Sequence, residues 1–75
     1  MSSKVKFAIV GCGSIGKRHI AVLDADPEAE IVAICDSDIK KATDLSNLYG
    51  GIKVYSDYAL MLREIEANVV NVVTP

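Results

Sequence analysis

Apolar and polar residues alternate in blocks along the chain, and these blocks predict strands and helices in turn. Lys4–Val10 begins with alternating residues, becomes apolar and meets a glycine, which predicts a strand that enters a turn. Apolar residues at helical spacing then predict a helix from Ser14 to about Ala25, which Pro27 ends. Glu30–Cys35 is a short apolar run with β-branched residues and no turn former, as is typical of a strand buried on both faces.

The second half of the chain continues the alternation. The next predicted helix has an apolar stripe, ends at two glycines and follows several candidate N-caps. The stripe is Ile39, Ala42, Leu45 and Leu48, the glycines are Gly50 and Gly51, and the candidate caps are Asp36, Ser37 and Asp38. Residues 52–55 ("IKVY") and 68–75 ("NVVNVVTP") predict two more strands. Ser56 or Asp57 is expected to cap a third helix that runs to about Glu66, with Tyr58, Leu62 and Ile65 along its apolar stripe.

Strands that alternate with helices of this length need crossover connections, so the sheet is expected to be parallel, with helices on its faces. The predicted fold class is α/β, a Rossmann-like parallel sheet that contains the first four strands and three helices of a doubly wound fold (βαβαβαβ). The sequence stops where the fourth strand reaches the ligand-binding edge of such a sheet. Residues 1–75 are therefore interpreted as part of one domain of a larger, two-domain protein.

The composition favours a packed protein without nucleic-acid or membrane partners. Of the 75 residues 51% are hydrophobic, and the formal net charge of −2 is made of both signs spread along the chain. No apolar run approaches the roughly 20 residues that span a bilayer, and Phe7–Val10 is too short for a signal-peptide core. The protein is accordingly expected to be soluble and cytoplasmic. Cys12 and Cys35 are too few for a disulfide framework and lack metal-ligand spacing, so they are interpreted as small buried side chains.

The stretch "GCGSIG" places glycines in a G-x-G-x-x-G pattern between the first predicted strand and the first predicted helix. Gly11 would permit a tight turn, Gly13 would let a pyrophosphate approach the backbone, and Gly16 would let the helix pack closely on the sheet. The helix that begins near Ser14 would direct the N–H groups of Ser14 and Ile15 at the phosphates. Because an acid also follows the second predicted strand, the pattern predicts a dinucleotide site rather than a turn without a ligand.

Asp36 is that acid. Its carboxylate could accept hydrogen bonds from the adenosine ribose hydroxyls, which favours NAD and repels the 2′-phosphate of NADP. The alternative interpretation is that Asp36 only caps the second helix. Ser37 could line the same pocket. Lys40 and Lys41 are most simply solvated, although a lysine turned towards a 2′-phosphate would make NADP possible as well.

The remaining side chains that could carry chemistry are interpreted as packing or surface residues. His19 lies one turn past the glycines, where a helix-packing or surface role is favoured over catalysis. Cys12 could carry a stabilised thiolate at the helix N-terminus and be redox-sensitive, but a small residue that fits between two glycines is the simpler interpretation. The three tyrosines, Tyr49, Tyr55 and Tyr58, are interpreted as amphipathic packing residues.

The segments "FAIVGCGSIGKRHIAVL", "AICDSD", "VYSDYALML" and "VVNVVTP" resemble the N-terminal half of the Rossmann domain in the glucose-fructose oxidoreductase, inositol dehydrogenase and rhizopine-catabolism family (Gfo/Idh/MocA). The resemblance covers nearly the whole chain. Its most specific parts are the G-x-G-x-x-G-x-x-H run from Gly11 to His19, the start of the third helix at residues 56–58, and the Thr74-Pro75 ending. It implies that residues 1–75 are a partial NAD(P)-binding Rossmann domain.

The resemblance also implies a role for individual residues and for the whole protein. The residues implied to hold the pyrophosphate are Gly11, Gly13, Ser14, Ile15 and Gly16. Asp36 would hold the ribose, and Thr74 and Pro75 would edge the cofactor pocket. Members of this family oxidise or reduce a hydroxyl or carbonyl carbon of sugars and cyclitols with NAD or NADP. Their catalytic lysine, in a Glu-Lys-Pro motif, and the Asp and His of a second domain have no counterpart in these residues, so no catalytic residue is assigned and the 75 residues alone are expected to be inactive.

The leading hypothesis is therefore the NAD(P)-binding portion of an oxidoreductase that acts on a sugar-like alcohol. A non-catalytic nucleotide-binding or regulatory module would need the same residues, and a piece with no physiological ligand of its own is a third possibility. An incomplete parallel sheet exposes strand edges, so self-association is also expected.

Overall fold

The computed structural model describes residues 4–73 and contains four strands and three helices that alternate along the chain. The strands are β1 (Val5–Val10), β2 (Ala29–Cys35), β3 (Lys53–Tyr55) and β4 (Val69–Val72), and the helices are α1 (Ser14–Asp24), α2 (Ile39–Leu48) and α3 (Tyr58–Glu64). This order confirms the predicted βαβαβαβ fold. Within the described range no helix is long and apolar enough to cross a membrane.

The strands form one parallel sheet in the order β3-β2-β1-β4. The strand β1 therefore lies between β2 and β4, with Ile9 opposite Ile34 on one side and Asn71 on the other. Because all strands are parallel, their carboxyl ends meet at a single edge of the sheet, where ligands of doubly wound folds bind. Backbone hydrogen bonds continue past the strand ends at this edge, from Gly11 N to Cys35 O at 2.8 Å and from Val73 N to Val10 O at 2.8 Å.

The helices pack on both faces of the sheet. One apolar cluster joins Ile9 and Ile34 of the sheet to Ile20 of α1 and Leu45 of α2. The cluster on the other face joins Ala8 and Ala33, the strand residues that point the opposite way, to Met61 of α3. Right-handed crossovers explain this division, since β1, β2 and β3 follow one another in one direction across the sheet and the chain then returns over the other face to β4.

The third helix differs from its prediction. It ends at Glu64 rather than about Glu66, because Ile65 has the extended backbone angles φ −105° and ψ 132°. The predicted apolar stripe was also wrong in part, since Met61 is the fully buried residue of α3 whereas Tyr58 and Leu62 are exposed. Ile65 does pack against the cluster on this face, but from the extended segment that leads into β4.

Two helices have aspartate caps that resolve choices left open by the sequence. Asp38, not Asp36, caps α2 and accepts hydrogen bonds from the N–H groups of Lys40 and Lys41. Asp57 caps α3 in the same way. Gly13 is the N-cap residue of α1, and no side chain within residues 4–73 caps that helix.

The tyrosines pack to different degrees. Tyr55 is buried on the α3 face, where its hydroxyl donates to Glu64 Oε1 at 2.9 Å. Tyr49 is half-buried beside the opposite cluster. Tyr58 is exposed, so the packing interpretation was wrong for that residue.

Candidate functional site

The glycine pattern lies where β1 ends and α1 begins, at the carboxyl edge of the sheet. Gly11 has φ 105°, in the left-handed region that residues with a Cβ rarely adopt. Its N–H donates to the carbonyl of Cys35 at the end of β2. This residue therefore makes the tight turn that was predicted for it.

Gly16 lies at the closest approach between α1 and that turn. A Cβ at this position would lie 1.9 Å from the carbonyl oxygen of Gly11 and 2.9 Å from its carbonyl carbon. Real side chains do not approach backbone atoms so closely. Gly16 is thus required for close packing of the helix against the turn, as the pattern predicted.

Gly13 is different, because nothing in the described part of the chain requires a glycine there. Its φ of −74° suits any residue, and a Cβ would have no atom within 4 Å. Neither backbone strain nor packing explains the choice. A ligand that lies directly against this backbone would explain it, since a side chain would fill the space that a pyrophosphate needs.

The first turn of α1 offers backbone donors at the same point. The first N–H groups of a helix have no partner within the helix, and they lie at the positive end of its dipole. In α1 these groups include those of Ser14 and Ile15, and the first turn contains no acidic residue. The Lys17 N–H makes the first bond of the helix, to Gly13 O at 2.9 Å. The segment Gly13–Ile15 therefore suits an anion, which is the chemistry predicted for it.

Asp36 lies beside this turn, immediately after β2. Its Oδ2 accepts a hydrogen bond from Cys12 N at 2.8 Å, and its Oδ1 accepts one from Asp38 N at 2.8 Å. The hydrogen bonds from these backbone groups hold the pKa of Asp36 below its ordinary value, so the carboxylate is ionised at neutral pH. An ionised carboxylate has about four acceptor positions, which leaves positions for ribose hydroxyls.

Two cavities flank the glycine turn. The larger, of about 450 Å³, lies between α1 and α2 and is lined by Gly13, Ser14, Lys17 and Lys41 together with residues of α2. The smaller, of about 250 Å³, is lined by Gly11, Asp36 and Ser37 together with residues at the ends of β1, β2 and β3. Five of the predicted site residues, Gly11, Gly13, Ser14, Asp36 and Ser37, thus line one or other of these two cavities, whereas Ile15 and Gly16 line neither.

The two neighbouring lysines have different surroundings. Lys40 is exposed and forms an ion pair with Asp44 at 3.6 Å. Lys41 lines the larger cavity, and its charge contributes to the lowered pKa of Asp36. Both lysines are exposed, as expected for a solvated helix face, and Lys41 in addition lines the cavity next to Gly13 and Ser14.

The sequence offers two other reactive side chains, His19 and Cys12. His19 is exposed on α1 and lines a separate cavity of about 230 Å³ with Arg18, Val22 and Asn71, apart from the predicted site residues. Cys12 is buried, and burial, followed by the nearby Asp36 charge, raises the pKa of its thiol to about 11. This raised pKa contradicts the alternative in which Cys12 carries a stabilised thiolate. Both cysteines are buried, as their simpler interpretation required.

Some residues that line the candidate site were not predicted from the sequence. Lys17, Ser56 and Tyr58 line the two cavities although the sequence assigned none of them to the site. The position of Ser56 directly after β3 could have indicated it, because loops after parallel strands meet at one edge. Thr74 and Pro75, which were expected to edge the pocket, lie outside the described residues.

Comparisons with known proteins agree with this geometry. The sequence profile of the GFO/IDH/MocA oxidoreductase family, which has an NAD-binding Rossmann fold, matches residues 5–75. The chain is 35% identical over 75 residues to D-glucoside 3-dehydrogenase from Escherichia coli (strain K12), and the match covers 99% of this chain and 21% of that protein.

Solved structures show the same fold. The structure of GenD2 from gentamicin A biosynthesis, in complex with NAD, matches with a TM-score of 0.89 and 32% identity over 100% of this chain and 21% of that one. The WlbA dehydrogenase from Bordetella pertussis, in complex with NADH and UDP-GlcNAcA, matches with a TM-score of 0.86 and 32% identity over 96% of this chain and 22% of that one. The chain thus spans about a fifth of the length of these relatives.

Proposed function

This chain belongs to the GFO/IDH/MocA oxidoreductase family with an NAD-binding Rossmann fold, and we propose that residues 1–75 are the cofactor-binding part of a dehydrogenase for a sugar- or cyclitol-like alcohol or carbonyl. The observation that carries the proposal is the open space at Gly13, beside the N-terminus of α1 and the carboxylate of Asp36. The relatives support the substrate class, because they include a D-glucoside dehydrogenase and a dehydrogenase bound to a sugar nucleotide.

In this proposal the residues of the chain bind and orient the cofactor. The nicotinamide ring of bound NAD accepts or donates the hydride, which is the cofactor's own chemistry. The proposed pyrophosphate contacts are made by the glycine turn and the first turn of α1, namely Gly11, Gly13, Ser14, Ile15 and Gly16. Asp36 accepts from the ribose hydroxyls and Ser37 lines the same pocket. Thr74 and Pro75 are proposed to edge the pocket after β4.

Asp36 also supports a preference for NAD over NADP. Its ionised carboxylate would repel a 2′-phosphate at the position where it accepts a ribose hydroxyl. Lys41 opposes this effect, because its side chain lines the cavity next to Gly13 and Ser14. NADP is therefore proposed as a second, weaker cofactor.

The proposal places the remainder of the activity in a longer protein. Proton transfer and substrate binding need a positioned acid or base and a second domain, which we assign to chain outside these 75 residues. The parent protein is proposed to work in the cytoplasm, without nucleic-acid or membrane partners. Self-association of the 75-residue chain through β4 is also proposed, since this edge strand carries Val72 with 59% of its surface exposed. A single monomer peak in light scattering at all concentrations would contradict self-association.

The cofactor proposal is tested with a ¹H–¹⁵N correlation spectrum of the chain during titration with NADH and then NADPH. We expect shifts at Gly13, Ser14 and Asp36 with NADH, and weaker binding of NADPH. Gly50, which lies after α2 and away from this edge, is the internal control. A dispersed spectrum that responds to neither nucleotide would refute the assignment of the site.

A non-catalytic nucleotide-sensing module is the second candidate, because it would need the same turn and the same carboxylate. The full-length protein separates the two candidates. NADH production with a panel of polyols and sugar derivatives supports the dehydrogenase, whereas NADH binding without turnover of any panel member supports the sensor.

A further inference from the structure

The carboxylate of Asp36 joins two separate segments of the site. Its Oδ2 accepts from the N–H of Cys12, which lies between the first two glycines of the turn, and its Oδ1 accepts from the N–H of Asp38, which precedes α2. Both donor–acceptor distances are 2.8 Å, within the range of well-formed N–H···O hydrogen bonds.

The bond to Cys12 continues a backbone connection between the turn and β2. Gly11 N already donates to Cys35 O, and Cys12 N then donates to the side chain of the next residue, Asp36. The Cys12 side chain is buried, so its amide cannot readily exchange this partner for water. Without the carboxylate, the Cys12–Gly13 backbone would have to move to satisfy that amide.

We propose that Asp36 is a positioning residue for the glycine turn in addition to a ligand of the ribose. The same carboxylate that reads the ribose hydroxyls holds the Cys12–Gly13 backbone at the place where the pyrophosphate must lie. Recognition of the ribose and binding of the phosphates are consequently coupled through one side chain. The nucleotide part of this inference rests on the proposed function, whereas the fixing of the turn rests on the hydrogen bonds alone.

The first test needs no nucleotide. In an amide NMR titration of the wild-type chain, the Cys12 N–H signal should shift as Asp36 becomes protonated in acid. The other titratable groups that act on the Asp36 carboxylate are the Lys41 ammonium and the Cys12 thiol. In Asp36→Ala the Cys12 and Gly13 amides should shift and exchange faster with solvent. Unchanged Cys12 and Gly13 amides in that variant would overturn the proposal.

Asp26→Asn is the matched control. Asp26 also accepts a backbone bond from the residue two positions later, Glu28 N at 2.9 Å, but it lies in the loop between α1 and β2 at the opposite edge of the sheet. This variant should shift the Glu28 amide and leave the Cys12 and Gly13 amides where they are. A response of the turn to Asp26→Asn equal to its response to Asp36→Ala would show a general loss of stability, and would count against the proposal.

The second test separates positioning from hydroxyl recognition. ADP and 2′,3′-dideoxy-ADP are titrated against the wild type and the Asp36 variants by calorimetry. A residue that only reads hydroxyls would leave the affinity for dideoxy-ADP unchanged on substitution, and loss of its negative charge would favour an anionic ligand. If Asp36 also positions the turn, we expect Asp36→Ala to lower the affinity for dideoxy-ADP at least about threefold.

A conservative variant keeps this test decisive if Asp36→Ala folds poorly. The amide oxygen of Asp36→Asn can accept from only one of the two backbone donors, so it should restore part of the loss. Equal or tighter binding of dideoxy-ADP by a folded Asp36 variant overturns the proposal. If the wild type binds neither nucleotide, the proposed function fails, and the amide titration alone then decides whether Asp36 fixes the turn.

Discussion

Alanine substitutions at Gly16 and Gly13 should fail in different ways, although both residues belong to one glycine pattern. In Gly16→Ala the added methyl would lie 1.9 Å from the carbonyl oxygen of Gly11 and 3.3 Å from a methyl of Val73. The oxygen belongs to the backbone and cannot rotate away. The helix α1 must therefore shift from the turn, or the turn must unfold.

The size of the effect follows from opposing contributions. Overpacking costs about 1–3 kcal/mol and occasionally more, and an overlap with backbone belongs at the upper end. Alanine gains about 1 kcal/mol over glycine in helix propensity. We therefore expect Gly16→Ala to lower the free energy of unfolding by about 2 kcal/mol or more. A chain of this length has roughly 4–11 kcal/mol in total, so the loss is a large share.

Gly13→Ala is the matched control for stability and the test variant for binding. The added methyl meets no atom within 4 Å, and the φ of −74° suits alanine. Alanine reduces the conformational entropy of the unfolded chain, which stabilises the folded protein by about 0.4–1 kcal/mol, but it is a poorer N-cap than glycine. Because the two effects oppose each other, the free energy of unfolding should change by less than about 1 kcal/mol. The methyl occupies the proposed pyrophosphate position, so NADH affinity should fall roughly 5- to 150-fold.

Urea unfolding followed by circular dichroism measures the first effect, and NADH titration by calorimetry measures the second. A Gly16→Ala variant as stable as the wild type would show that α1 does not approach the turn as described. Unchanged NADH affinity in a folded Gly13→Ala variant would refute the argument that a ligand explains this glycine.

Other variants test the packing, the cofactor preference and the buried thiol. Met61→Ala removes a fully buried side chain and should cost about 2–5 kcal/mol in urea unfolding, whereas Leu62→Ala, at a side chain that is 47% exposed, should cost less than about 1 kcal/mol. Lys41→Ala should weaken NADPH binding about two- to fivefold relative to NADH binding, and Lys40→Ala should leave that ratio unchanged in the same titrations. Burial raises the pKa of Cys12 from 9.0 to about 11. The unfolded chain then releases the thiol proton at lower pH than the folded chain, so the free energy of unfolding should fall as the pH rises from about 9 to about 11. Cys12→Ala has no thiol to ionise at this position, so its urea midpoint should fall less than that of the wild type over the same range.

The sequence predicted the features that depend on local patterns. Alternation and short apolar runs located the first three strands to within one residue at each end. The fourth strand, predicted over residues 68–75, is Val69–Val72, and residues 74 and 75 lie outside the described range. The positions of Gly11 and Gly16 indicated the turn and the close helix contact, since few residues other than glycine fit either.

Features that depend on distant contacts were not predicted. The third helix stops early because residues after Glu64 extend towards β4, where Asn68 exchanges hydrogen bonds with Lys6. That pairing is invisible to a pattern within α3. The difference between Lys40 and Lys41 likewise depends on the rotation of α2 about its axis, which follows from the packing of its buried residues Ala42 and Leu45 against the core. The bond from Cys12 to Asp36 joins residues 24 positions apart and has no signal in either segment.

The central position of β1 has a consequence for how the chain folds. Lys6 and Asn68, which join β1 to β4, are 62 residues apart, whereas the bond from the glycine turn to the end of β2 spans 24. Closing the longer loop costs about 0.8 kcal/mol more entropy, so β4 should dock after the segment β1-α1-β2 has formed. Pulse-labelled hydrogen exchange during refolding should therefore protect the amide of Val73, which donates to Val10 O, later than the amide of Gly11, which donates to Cys35 O, and simultaneous protection would contradict this order. Val73 lies beside Gly16, so a nascent chain would contain the complete glycine motif well before the residues that pack against the start of α1 were all in place.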